Sequence, residues 1–263
     1  MSIKNEQFLK DLQPYARMTV LPGITVGDLN FSSAQSIFST GYLQPAAGIG
    51  GVNVGFTANT EVDLFQSAIG DGGQGLAPGQ VMTRSQTNWL DSQGRLPANE
   101  VFIGIRCMVS VFLHQNADPT ANNGASFAGA AGAYSQQMPL PSVTALWDIL
   151  KSFSWEYQTG DGIIRNVGPL AGFPQAGGVW EAPATTVPLV PAYAFAIAAQ
   201  NGWPCTAVAK DLPIPFMFLP NITTRIKAKC GSPMILFPGE TALAGFFPAV
   251  RMTFQGYKLT MPV

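Results

Sequence analysis

Glycine and proline interrupt this 263-residue chain so often that long helices are excluded over most of it, since 28 glycines and 21 prolines lie scattered at short intervals. Proline removes a backbone donor and clashes inside a helix, and glycine there costs about 1 kcal/mol relative to alanine. Between the breaks, apolar residues recur at every second position, the period of a strand with one face turned inward. Over Val101 to His114, the residues Val101, Ile103, Ile105, Cys107, Val109, Val111 and Leu113 fall on one side, which predicts a long strand with a fully apolar inner face. Val52, Val54, Phe56 and Ala58 alternate with Asn53, Gly55, Thr57 and Asn59 and predict a second, half-buried strand.

Two further runs read as strands with turns. Phe153, Trp155 and Tyr157 alternate with polar neighbours, and Gly160-Asp161-Gly162 supplies a tight turn into Ile163 and Ile164, so a hairpin is predicted. Ile222, Thr224, Ile226, Ala228 and Cys230 face one way while Arg225, Lys227 and Lys229 face the other. In the last strand Val250, Met252 and Phe254 point inward, and a bulge at Gly256 is expected to switch the inner face to Tyr257 and Leu259. Helical candidates are short: Ile3 to Leu12, ended by Pro14; Val143 to Leu150, as a helix or the lead-in to the Phe153 strand; and Ala192 to Gln200.

Charge is scarce. Ionised side chains make up 11% of the chain, against roughly a quarter in an ordinary globular domain. Three stretches carry none at all: Leu29 to Thr60, Pro119 to Trp147 and Ala182 to Ala209. Gly, Pro, Asn, Gln and Ser interrupt them, so they never reach the ~20 apolar residues of a spanning helix. The expectation is that this surface is covered by other copies of the chain. The net charge of −1 argues against a general polyanion binder, although the region from Lys210 onward is enriched in basic residues.

Three cysteines, Cys107, Cys205 and Cys230, cannot all pair within one chain and show no metal-ligand spacing, so buried free thiols and a reducing compartment are expected. Met1 to Gln13 mixes Lys4, Glu6, Lys10 and Asp11 with its apolar residues and predicts no export signal. The segment Asp118 to Pro141, rich in Ala, Gly, Asn and Ser, reads as a long loop dividing the chain near its midpoint. Either half, ~120 residues, has room for eight short strands. Pro97-Ala98 before the Arg106 strand and Pro248-Ala249 before Arg251 form a faint echo between the halves.

Catalytic and ligand motifs are weak. Gly70, Gly72 and Gly75 match G-x-G-x-x-G, but Ala77-Pro78-Gly79 follows where a phosphate-binding helix must begin, so a surface loop is expected. His114 is the single histidine and ends the long strand, too far along it from Cys107 to act with that thiol. Glu61 and Asp63 share a strand face at about 6.5 to 7 Å between Cα atoms, a spacing compatible with glycosidase chemistry but commoner for two solvated acids. No enzyme activity, metal or cofactor is expected. Asn30-Phe31-Ser32 and Asn221-Ile222-Thr223 are formal glycosylation sequons that matter only in a secretory pathway. The three cations Arg225, Lys227 and Lys229, projected from one strand face, are candidates for touching nucleic-acid phosphates or anionic lipid; the simpler explanation is an edge strand protected by lysines.

Many short strands, abundant turn formers and charge-poor loops suggest jelly-roll sheets built for lateral contact. The stretch Gln86-Thr87-Asn88-Trp89 through Gly94-Arg95-Leu96-Pro97-Ala98-Asn99-Glu100-Val101-Phe102-Ile103 and Ile105, with the terminal Val250-Arg251-Met252-Thr253-Phe254-Gln255-Gly256-Tyr257, resembles the turn-then-strand style of major capsid proteins of tailless icosahedral phages. That resemblance implies the double jelly-roll lineage: an all-β subunit with two jelly-roll β-sandwich domains side by side and a few short helices, a homotrimer of pseudo-sixfold outline, and often a lipid membrane beneath the shell. The corresponding division is an arm over 1–18, a first jelly roll over 19–130 and a second over 131–263. The length is near the lower limit for two, so one large jelly roll with long loops is the alternative.

The function this implies is a coat subunit that self-assembles in the host cytoplasm into a virion shell. Its partners would be its own copies, other virion proteins, and an internal membrane or genome met by Arg225, Lys227 and Lys229. Ile3, Phe8, Leu9 and Leu12 of the amphipathic arm are expected to reach a neighbouring subunit or the inner membrane surface. No small-molecule substrate is expected. Two other classes remain: a carbohydrate- or receptor-binding β-sandwich such as a viral spike, and an outer-membrane barrel, which the proline density and lack of an export signal disfavour.

Overall fold

The structure, a computed structural model, describes residues 10–43, 46–49, 53–72, 81–89, 94–115, 148–160, 162–173, 180–181, 199–200, 209–237 and 246–261. These are mostly antiparallel strands, and the chain is all-β with only short helical turns. The strands are β1 (Thr19–Leu21), β2 (Ile24–Thr25), β3 (Asn30–Tyr42), β4 (Ala46–Ile49), β5 (Asn53–Phe56), β6 (Glu61–Leu64), β7 (Glu100–Gln115), β8 (Phe153–Gln158), β9 (Ile164–Pro169), β10 (Trp180–Glu181), β11 (Ala199–Gln200), β12 (Lys210–Phe218), β13 (Arg225–Cys230), β14 (Met234–Phe237) and β15 (Phe246–Thr260).

Two four-stranded sheets dominate, one ordered β12-β7-β15-β3 and the other β6-β13-β8-β9. A three-stranded sheet, β14-β5-β4, and the hairpins β1-β2 and β10-β11 complete the set. The period-two signals account for this directly. On β13, Ile226, Ala228 and Cys230 are fully buried while the cations alternate outward. On β8, Phe153 and Trp155 are buried and Ser154 and Glu156 are not. The hairpin predicted after β8 is present, with Gly162 at φ +76° in its turn, a left-handed conformation that glycine adopts without strain.

Both large sheets draw strands from either side of residue 130. β3 and β7 pair with β15, β7 also pairs with β12, and β6 pairs with β13. The described strands therefore do not follow the expected division into 19–130 and 131–263. They share one core, in which Phe216 and Phe254 stack at 4.9 Å and Trp155 and Tyr157 of the facing sheet meet them edge-on. Pro248, expected to precede the last strand, lies within β15 opposite Leu113, so the faint echo is not a matching lead-in. Ala192 to Gln200, expected as helix, ends as β11; of Val143 to Leu150, offered as helix or strand lead-in, the described part is helical and runs on to 152 before β8 begins.

A second apolar cluster corrects the expected inner faces of β7 and β15. Opposite Gln255 and Gly256 the register of β7 jumps from Arg106 to Gly104, which leaves Ile105 as an extra, unpaired residue. This bulge sits on β7 and not on β15, which keeps its alternation throughout. Above it Phe102 belongs with Cys107, Val109 and Val111 in the main core, although their parity differs. Val101 and Ile103 turn to the outer face, where with Tyr257 and Leu259 they are covered by Leu12, Val20, Val26 and Leu29. The sheet is thus buried on both faces at this end, and a simple alternation cannot describe it. Gly256 is required by the bulge: a Cβ there would lie 1.8 Å from the Ile103 carbonyl oxygen.

Candidate functional site

The basic strand is the first candidate surface. β13 is interior to its sheet, with β6 on one side and β8 on the other, so the edge-strand explanation of its lysines does not apply. Lys227 stands opposite Asp63 on β6 and Glu156 on β8; Lys229 stands opposite Glu61 and Ser154; Arg225 stands opposite Gln158. Lys227 Nζ donates to Glu61 Oε1 at 2.5 Å and lies 3.9 Å from Asp63 Oδ1. That hydrogen bond holds the Lys227 ammonium above its ordinary pKa. Burial raises the Asp63 carboxyl, with Lys227 opposing the shift. Three cations therefore share this face with three carboxylates, and Glu61 and Asp63 are both engaged by Lys227. A small cleft of about 140 Å³ opens on the same face, where Glu61 and Glu156 stand among Arg225, Lys227 and Lys229. A neutral face lacks the excess of cations that phosphate binding uses.

The N-terminal arm is the second. Leu12 is 4% exposed and packs within its own chain, against the outer face of the β12-β7-β15-β3 sheet, which corrects the expectation that it reaches a neighbour. Ile3, Phe8 and Leu9 lie outside the described residues. Tyr257 Oη donates to Asp11 Oδ2 at 2.5 Å, and burial followed by this bond pushes the phenol well above its ordinary pKa. Arg106 Nε donates to Asp211 Oδ1 at 2.7 Å close by. A cavity of about 410 Å³ at the bulge is lined by Asp11, Gln35, Ser36, Arg106, Gln255 and Tyr257, with Gly256 among its walls. No local signal marks this site, because the residues that line it, Asp11, Ala34 to Ser36, Ile105 and Arg106, and Gln255 to Tyr257, are far apart along the chain.

The two stretches that carried the family resemblance meet in the fold. Asn88 Oδ1 accepts from the Phe38 N–H and its Nδ2 donates to the Ser36 carbonyl, each at 2.7 Å, so the 86–89 segment covers the outer edge of β3. Arg251 Nε donates to Thr40 Oγ1 and Nη2 to the Ser85 carbonyl, with the guanidinium 5.3 Å from the Phe38 ring centroid. A second cleft, of about 460 Å³, opens beside Trp89, Asn88, Arg95, Phe102 and Asn221, next to the Lys258–Glu100 ion pair at 2.6 Å. Amides and charges line it, and the Trp89 indole at its wall is 3% exposed, its ring packed against Phe65 and Phe218.

Other sequence candidates do not converge. Cys107 and Cys230 are buried free thiols, both raised above their ordinary pKa by burial, and Cys205 lies outside the described residues. His114 pairs through its backbone with Phe247, and its side chain is outside the description. Gly70 sits in a turn at φ +93°, while Gly75 is outside the described residues. Among the described residues no three His, Cys, Asp or Glu side chains gather as metal ligands, and no helix is long and apolar enough to cross a membrane.

The charge-free stretch Leu29 to Thr60 is partly accounted for by the fold itself. Ile37 and Ser39 to Leu43 are buried inside the chain. Pro119 to Trp147 and most of Ala182 to Ala209 lie outside the described residues. No protein-family model matches the chain, and no curated protein or solved structure matches it either.

Proposed function

We propose that this chain is a coat subunit, a single jelly roll with long loops that self-associates into an icosahedral virion shell. The observation carrying the reading is the winding order. Numbered one to eight along the chain, β3, β6, β7, β8, β9, β12, β13 and β15 lie as 1-8-3-6 in one sheet and 2-7-4-5 in the other. This is the double-sheet winding shared by viral coat domains, lectins and cupins, so the step from fold to function is one of analogy. The scarcity of charge separates these classes, because apolar and small residues can be buried between copies with little desolvation cost. Weak contacts repeated around a closed shell then give selective assembly. In this reading the protein assembles in the host cytoplasm, with its own copies, other virion proteins and an internal membrane or genome as partners, and its role is structural rather than catalytic.

The cleft beside Trp89 supports a second reading, a carbohydrate- or receptor-binding module such as a spike. Sedimentation of the purified protein with negative-stain imaging distinguishes the two. Trimers or closed shells are expected for the coat subunit. A monomer that stays dispersed at high concentration and binds a glycan saturably overturns it.

A further inference from the structure

The outer face of the β6-β13-β8-β9 sheet concentrates ionised groups in a chain that has few of them. Glu61 and Asp63 form an acidic column on β6, and Arg225, Lys227 and Lys229 form a basic column on the adjoining β13. The columns are in register, with Asp63 beside Lys227 and Glu61 beside Lys229. They remain accessible: the side chains of Lys227, Glu61 and Asp63 are 27%, 38% and 35% exposed.

Two adjacent columns of opposite sign have a geometric property that no single-sign patch has. A two-fold axis parallel to the strands and running between the columns carries each one over the other without moving it along the strand. Asp63 of one copy then lies over Lys227 of the second, and Glu61 over Lys229, in both directions. Each of these four ions stays beside one of opposite sign and gains another above it, giving a two-layer checkerboard, while Arg225 and Glu156 lie outside it. We infer that this sheet face is an isologous contact between two copies of the chain. A polyanion fits it less well because the face is neutral, whereas a second copy is complementary by symmetry alone.

This inference rests on the proposed self-assembly and names one contact within it. Two strands about 4.8 Å apart and four to six residues long cover only a few hundred Å² per copy, below the ~800 Å² per partner of a standard stable complex. The contact is therefore weak alone. Its part is to fix the orientation of neighbours, and it weakens with salt as the screening length falls from about 10 Å at 0.1 M to about 3 Å at 1 M.

The test compares the wild type with a full charge swap, E61K/D63K/E156K/R225E/K227E/K229E, which reverses every sign while preserving every lateral pair; thermal unfolding verifies that it folds. Self-association is measured by sedimentation velocity at several salt concentrations, and mixing by native mass spectrometry of isotope-labelled copies. Both proteins are expected to self-associate alike, at least tenfold more weakly in 1 M than in 0.1 M salt. They are expected not to form mixed pairs through this contact, because like columns then lie over like. The one-sided variant E61K/D63K, if folded, is expected to lose association at least tenfold. Wild type and swap mixing in statistical proportion, or association indifferent to salt, overturns this contact while leaving self-assembly standing. A wild type that stays monomeric overturns both.

Discussion

Replacing Gly256 with alanine tests the bulge that divides the two apolar clusters. The added Cβ would stand 1.8 Å from the Ile103 carbonyl oxygen, where real Cβ atoms keep at least 3.0 Å, so β7 and β15 must part locally by more than an ångström. The obstacle is backbone, so no side-chain rotation relieves it. Opening a strand pair normally ~4.8 Å apart by that amount breaks one or two ladder hydrogen bonds at about 1 kcal/mol each. Disturbed packing of Phe254 on one face and Tyr257 on the other adds about 1 to 2 kcal/mol. The expected loss is about 3 kcal/mol, and at ~2–4 °C per kcal/mol for a chain of this size the melting temperature falls by ~6–12 °C. Urea unfolding followed by tryptophan fluorescence measures the free energy. Gly172→Ala, where no atom lies within 4 Å of the new Cβ, is the control and should stay within about 0.5 kcal/mol of wild type. A Gly256→Ala protein as stable as this control refutes the close approach of the two strands and, with it, the bulge.

The arm yields two further tests. Leu12→Ala should cost about 2 kcal/mol because it empties a site that is 4% exposed, whereas deleting residues 1–9 should impair assembly without lowering the unfolding midpoint; equal effects on stability would contradict the separation of roles. Tyr257→Phe removes the bond to Asp11 and should speed trypsin cleavage at Arg17 severalfold, while an unchanged rate would show that the apolar contacts alone hold the arm. Stability should fall as pH rises above about 9. The Cys107 thiol, the Tyr257 phenol and the Lys227 ammonium, ordinarily at 9.0, 10.0 and 10.5, are all raised in the folded chain. Each therefore contributes in full below its ordinary value, and that contribution is lost as pH climbs towards the folded one. Urea midpoints that stay flat to pH 11 would contradict these shifts.

Local signals in the sequence carried the strands well and the long-range arrangement poorly. The alternations in β8 and β13 and the turn at Gly162 were legible because each depends on neighbours a few residues away. The true faces of β7 were not, since its alternation is uninterrupted and the bulge exists only in its pairing with β15. Arg225, Lys227 and Lys229 stood out as a basic strand face, but the carboxylate bonded to Lys227 is 166 residues away, and nothing local announces that it neutralises the cluster. Leu12 was legible as the apolar face of a short helix. Which surface it covers depends on the outer side of a pair formed by a mid-chain strand, β7, and the last strand, β15. The midpoint stretch after Asp118 suggested two domains, yet sheet membership is decided by pairings that bridge it.

The burial of β3 changes what low charge can be taken to mean. A stretch that is charge-free because it runs through its own core says nothing about neighbours, and Leu29, Ile37, Ser39 to Leu43, Gly55 and Phe56 fall in this class. The case for covered surface therefore rests on Pro119 to Trp147 and Ala182 to Ala209, each close to thirty residues without an ion. Single glutamates placed there separate the alternatives. If copies cover these segments, Ala130→Glu and Val187→Glu each bury an unpaired carboxylate in a contact, a cost of several kcal/mol that a weak, repeated contact cannot absorb. Assembly should then fail by sedimentation and imaging while the unfolding midpoint of the isolated subunit stays within about 0.5 kcal/mol of wild type. If they pack inside the subunit, the same substitutions should lower its stability directly. If they face solvent, both readouts should be unchanged, and the scarcity of charge would no longer support a shell.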